Sequence, residues 1–136
     1  MKIKVLFHID DMKQWDLLLH NVSNLLRAYC PAGPAETQAA PATDRLSLPE
    51  PEQAELQIEV LANAAAVEGY LLDAVEADGS LMTELARQQV CFVACAHALS
   101  GLKIAQRQLR PFVTVVPSGV RELVERQSKG YAYIKP

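Results

Sequence analysis

Hydrophobic and polar positions change their period several times along this chain, and each change marks an element. Residues 2–9, KIKVLFHI, are short, β-branched and aromatic, the composition of a buried strand. Asp10 and Asp11 stop that run, and Asp11 with Gln14 three residues on makes a variant of the capping box that opens a helix. Trp15, Leu18, Leu19, Val22, Leu25, Leu26 and Tyr29 then fall at the i, i+3, i+4, i+7 spacing of one helical face. Cys30-Pro31 ends it, because the residue before a proline is driven out of helical geometry.

Five of the eight prolines lie between Pro31 and Pro51, with Ala, Thr, Ser and Glu among them. That composition predicts an exposed insertion or loop at about 31–54, acting on surface shape or partner contact and not on chemistry. Beyond it Leu56, Ile58 and Val60 alternate with Gln57 and Glu59, the period of a strand. Asn63 to Asp73 is ambiguous, its alanines favouring helix and Gly69 interrupting. Ser80 is placed to cap a second helix running to about Gln89, and Val90 to Ala94 is a compact apolar run, a central strand. A short helix over Ala96 to Ser100, stopped by Gly101, follows, with a further turn or two from Lys103 to Leu109. Pro111 opens a fourth strand, Phe112 to Val116. Ser118 caps a helix with Val120, Leu123, Val124 and Gln127 on one side, and Gly130 is its stop. Tyr131 to Ile134 is a fifth strand.

Strands therefore alternate with helices four times. The expected fold is α/β, a three-layer α/β/α arrangement with a mostly parallel five-stranded sheet, in one domain spanning residues 1–136. That length is enough to bury a core without staples. Strand order does not follow from the pattern.

Composition narrows the partners. A formal net charge of −3 argues against nucleic acid, whose binders present a basic face to the phosphates; Lys103, Arg107 and Arg110 read as a solvated helix face. The apolar run Ile3 to Ile9 is interrupted by Lys4 and His8, unlike a secretory segment, and no stretch has the length of a membrane span. Three cysteines cannot complete a disulfide framework, so free thiols in a reducing cytoplasm are expected.

In a parallel sheet the carboxyl ends of the strands share one edge, where ligands bind. That rule gathers His8 near the end of strand one, Asn63 after strand two, Cys95 after strand three, and Ser118 with Gly119 after strand four. Cys95 is the most suggestive of these. At the N-terminus of a helix, free N–H groups and the helix dipole favour a thiolate, the nucleophilic form. The same residue also fits a small buried hydrophobe. Cys91 is expected to face the core, and Cys30 has no evident role. Cys91, Cys95 and His97 make a poor metal set, since an extended chain holds the two thiols about 13 Å apart. His97, two residues from Cys95, does not face it. The Pro117-Ser118-Gly119 turn can offer N–H groups to an anion or sulfur, or be an ordinary capped turn. Neither GxxxxGK[ST], GxGxxG nor GxSxG occurs.

Taken in order, KVLFHID, HNVSNLL, VCFVACAHAL, VVPSGVRELV and GYAYIKP resemble the DsrE/DsrF-like family, small α/β proteins associated with sulfur relay and intracellular sulfur oxidation, and most closely its stand-alone branch. These segments span nearly the whole chain except Pro31 to Pro51. The resemblance implies that Cys95, in ACAHAL, is the functional cysteine, accepting a sulfane sulfur as a persulfide and passing it on. It also implies homo-oligomers, trimers or hexamers, sulfur-donor and acceptor proteins as partners, and no bound metal or organic cofactor.

Two functions are thus in view. One is a sulfur carrier with Cys95 as acceptor and His8, Asn63, Ser118 and Gly119 around it. The other is a non-catalytic oligomeric module holding a small anion or nucleotide-like ligand at the same edge. A Cys95→Ser change abolishes the first and spares the second. A cysteine hydrolase lacks a base and an orienting acid.

Overall fold

The structure, a computed structural model, describes residues 1–29 and 54–136. Cys30 and all of the expected insertion except Ala54 lie outside the described residues. The elements are β1 (Lys2–Ile9), α1 (Trp15–Tyr29), β2 (Glu55–Ala62), α2 (Gly79–Arg87), β3 (Cys91–Cys95), α3 (Ala96–Gly101), β4 (Val113–Val116), α4 (Gly119–Ser128) and β5 (Ala132–Ile134). Three 3-10 segments join them, Met12–Gln14, Ala64–Tyr70 and Gln106–Gln108.

The strands form one sheet in the order β4-β3-β2-β1-β5, every pairing parallel. Three successive crossovers step from β1 to β4 in one direction, and the fourth returns past β1. Right-handed crossovers that step one way share a face, and a return crossover takes the other. The two core clusters follow that rule. Val5, Phe7 and Ile9 of β1 join Trp15, Leu18, Leu19 and Val22 of α1, Met82 and Leu85 of α2, and Tyr70 in the larger cluster. Leu6, Leu61 and Val93 point the opposite way and pack with Leu123 of α4. Three layers result, with α4 covering the second face.

Most elements sit where the apolar period places them, and the departures have local causes. Asp11 opens the first helical region as expected, its carboxylate accepting the Lys13 N–H at 2.9 Å. The ambiguous stretch after Asn63 resolves as a seven-residue 3-10 helix, in which the indole N–H of Trp15 donates to the Ala66 carbonyl at 2.9 Å. Gly69 lies against that indole, where an added Cβ would overlap the ring nitrogen. The cap of α2 is Asp78, not Ser80: its carboxylate accepts the Leu81 N–H at 3.0 Å, starting the helix earlier. The turn after α3 is made by Lys103 at φ +58°, beyond Gly101. Gly130, at φ +92°, ends α4 as its sequence position predicts. Cys91 is exposed, not buried in the core; it opens β3 at the sheet margin, on the face opposite Phe92 and Ala94.

α4 departs furthest. Its inner face carries Gly119, Glu122 and the half-buried Leu123 and Arg126, while Val120 and Val124 are exposed at 66% and 63%. An ion pair explains the rotation, because Arg126 Nε reaches both Glu122 Oε2 at 2.9 Å and Glu59 Oε1 of β2 at 3.1 Å. Turning the valines inward would expel that cluster.

Candidate functional site

The register brings the predicted residues to one edge. Ile9, Ala62 and Ala94 are paired across β1, β2 and β3, so Asn63 and Cys95, one residue on, reach the same level. Val116 of β4 pairs with Cys95 itself. Alternation decides the face: His8, Leu61, Val93 and Cys95 point toward α4, and Asn63 continues the row in extended backbone at φ −134°. Directly after it Ala64 takes φ +50°, a left-handed conformation costing a non-glycine residue roughly 1–2 kcal/mol. This sharp turn leaves Asn63 at the strand's end, and strained backbone of this kind concentrates at functional sites.

Cys95 ends β3 and stands immediately before α3. It is 7% exposed. Its thiol is addressed by a second helix: the Gly119 N–H, first in α4, donates to Cys95 Sγ at 3.3 Å. The sulfur therefore lies at the positive end of a ten-residue helix. Ser118 aims that N–H. Its hydroxyl accepts the Arg121 N–H at 3.2 Å and so caps α4. Gly119 packs tightly here, since a Cβ would stand 3.1 Å from Cys95 Cβ, which would have to yield by a few tenths of an ångström, and 3.4 Å from both Asn63 Cβ and Cys95 Sγ. Cys95, Asn63 and Gly119 thus share one small volume.

His8 extends the constellation sideways. Its Nε2 lies 3.0 Å from Asn63 Oδ1 and its Nδ1 lies 2.6 Å from the hydroxyl of Tyr133. The residue is buried, and both ring nitrogens have protein partners. Tyr133, on β5, is the member that sequence reasoning missed. Nothing in its neighbourhood in the chain marks it, because only the pairing of β5 with β1 brings it beside His8. His97 is exposed on α3, and the hydrogen bond to Cys95 Sγ comes from Gly119. No set of three or more His, Cys, Asp or Glu side chains there is arranged to hold a metal ion.

A second polar group sits lower on the same face. Glu59 is 5% exposed and lies beside Cys91 in the register. Burial, reinforced by the adjacent Glu122 carboxyl, pushes Glu59 up to about 8 against the pull of Arg126. Burial raises Glu122 as well, but hydrogen bonds from Glu59 and Arg126 and the nearby cations outweigh it and hold Glu122 below its ordinary value. One proton is in effect kept between two carboxyls under a guanidinium. This group braces α4 on the sheet and is separate from Cys95, which lies four residues further along β3.

Residues 73–136, which include Cys95, Ser118, Gly119 and Tyr133, match the sequence model of the DsrE/DsrF-like family. A solved structure, that of the protein of unknown function MTH1491 from Methanobacterium thermoautotrophicum, is similar with a TM-score of 0.72 and 31% identity. The likeness covers 98% of this chain and 99% of that one. No curated protein matches.

Proposed function

The chain belongs to the DsrE/DsrF-like family, and from that premise we propose that it is a carrier of sulfane sulfur, holding it as a persulfide on Cys95. The observation that carries this reading is the Gly119 N–H at 3.3 Å from Cys95 Sγ, at the start of α4. A donor N–H on sulfur at a helix N-terminus stabilises a thiolate before transfer and an anionic persulfide after it. In the step, the Cys95 thiolate attacks the outer sulfur of a donor persulfide. The new S–S bond forms on Cys95, the donor's S–S bond breaks, and the donor departs as a thiolate. No oxidant is consumed, and delivery to an acceptor thiolate is the same exchange in reverse.

Around Cys95, we read His8, Asn63 and Gly119 as the pocket and Ser118 as the residue that caps the helix aimed into it. The whole chain, 1–136, is read as one domain with an insertion at about 31–54, assembling as a trimer or hexamer. Reversible persulfide chemistry suits a reducing compartment such as the cytoplasm. No helix among the described residues is long and apolar enough to cross a membrane.

The low exposure of Cys95 favours a second reading, a module that binds a small anion at this edge without covalent chemistry. Intact-mass measurement separates the two. With Cys30 and Cys91 replaced by serine, the protein should gain one sulfur from a small persulfide donor and lose it to excess thiol. Cys95→Ser should gain none. Absence of any gain in the Cys95-only protein refutes the carrier.

A further inference from the structure

The contacts of His8 have a directional consequence. A carboxamide oxygen only accepts hydrogen bonds, so the 3.0 Å contact with Asn63 Oδ1 requires the proton of His8 on Nε2. In a neutral ring Nδ1 is then a bare acceptor, and the Tyr133 hydroxyl at 2.6 Å must donate to it. Protons therefore run in one sense, from Tyr133 through His8 to Asn63. With its oxygen held by His8, Asn63 turns its amide nitrogen away from the ring, and that nitrogen has no partner among the described residues. Asn63 Cβ and Cys95 Sγ flank the same point beside Gly119. A ligand on Cys95 therefore has the Gly119 N–H on one side and the Asn63 side chain on another.

From this geometry we infer that Tyr133, acting through His8, is a positioning residue that sets the Asn63 amide to donate to an anionic sulfur on Cys95. The assignment rests on the sulfur-carrier reading and deepens it. It makes β5, a three-residue strand of exposed side chains, part of the site. It also gives the site a preference by charge. Two convergent donors suit an anionic persulfide or thiolate and disfavour a ligand that must itself donate.

The arrangement predicts a tautomer and a pair of rates. Long-range proton–nitrogen NMR of His8 should show the Nε2–H form in the wild-type protein. Tyr133→Phe removes the hydroxyl without disturbing the fold; β5 is at an edge and the residue is 42% exposed. In it the Nδ1–H form should become populated, and sulfur uptake by Cys95 from a small persulfide donor should slow about threefold to tenfold. Asn63→Asp keeps an acceptor for His8 but puts an anion where the amide donors were, and should slow uptake at least about tenfold, with a thermal midpoint near wild type. An Nδ1–H tautomer in the wild-type protein, or wild-type uptake by Asn63→Asp, overturns the proposal. The tautomer measurement needs no sulfur. Failure of the wild-type protein to take up sulfur therefore refutes the carrier reading, while the NMR result still decides whether Tyr133 sets His8 and Asn63.

Discussion

Replacing Glu59 with glutamine tests the electrostatics of the second sheet face. The side chain is 5% exposed, its Oε1 pairs with Arg126 Nε at 3.1 Å, and its Oε2 is buried and accepts no hydrogen bond. Burial first, then the neighbouring Glu122 carboxyl, raise it from 4.5 to about 8. In the unfolded chain the same group ionises near 4.5. Between these values the folded state holds a proton that the unfolded state has released, so folding stability falls as pH rises through the interval. The Glu59 contribution is whole below 4.5 and is lost as pH passes about 8. Taken alone, that separation is worth at most about 5 kcal/mol. Glu122, held low, acts with the opposite sign, losing stability as pH falls through its own lower value, outside this interval. Glutamine copies the neutral acid: its oxygen accepts from Arg126 and its amide faces Glu122. Denaturant unfolding at a series of pH values should show the Glu59→Gln protein gaining on wild type with each step upward. The advantage should reach about 2–5 kcal/mol by about pH 9 relative to about pH 5. A difference that stays flat across that range would show that Glu59 is ionised in the folded protein, and the reasoning fails.

Other consequences are local. Gly69→Ala drives a methyl into the Trp15 indole and should lower stability by about 1–3 kcal/mol in denaturant unfolding, more if the Ala66 hydrogen bond is lost. Ser118→Ala removes the cap of α4 and should cost about 1 kcal/mol. It should also alter the alkylation rate of Cys95, because the Gly119 N–H is held by that cap; an unchanged rate would detach the helix terminus from the thiol. Bulky alkylating reagents should modify exposed Cys91 well before Cys95, as followed by peptide mass spectrometry, and equal rates would contradict the burial of Cys95.

What could be read from the chain divides along physical lines. α1 was legible because its contacts repeat every turn, and the strands because β-branched runs between turn signals have few alternatives. Cys95, Asn63, His8 and Gly119 followed from one rule, that parallel strands end together, and the register brings them to one edge. Features set by residues distant in sequence were not legible. Val120 and Val124 look like an inner face until Arg126 is seen to bond Glu59 across layers. Asp78 outcompetes Ser80 as a cap because its carboxylate meets the Leu81 N–H, a choice that a pattern of polar residues leaves open. Cys91 is exposed because β3 begins at the sheet margin, which apolar content alone does not mark. Tyr133 joins His8 only because β5 returns past β1, and strand order is carried by no single segment.

The family accounts for the fold, and the N–H of Gly119 accounts for why Cys95 in particular should hold an anion. Peptide-resolved mass spectrometry of the wild-type protein, after brief exposure to a small persulfide donor, tests that assignment most directly. A one-sulfur gain confined to the peptide carrying Cys95, and slowed when Ser118→Ala loosens the helix start that presents the Gly119 N–H, is the expected result. A gain that falls on Cys91 or Cys30 and spares Cys95, or uptake at the wild-type rate in Ser118→Ala, contradicts it.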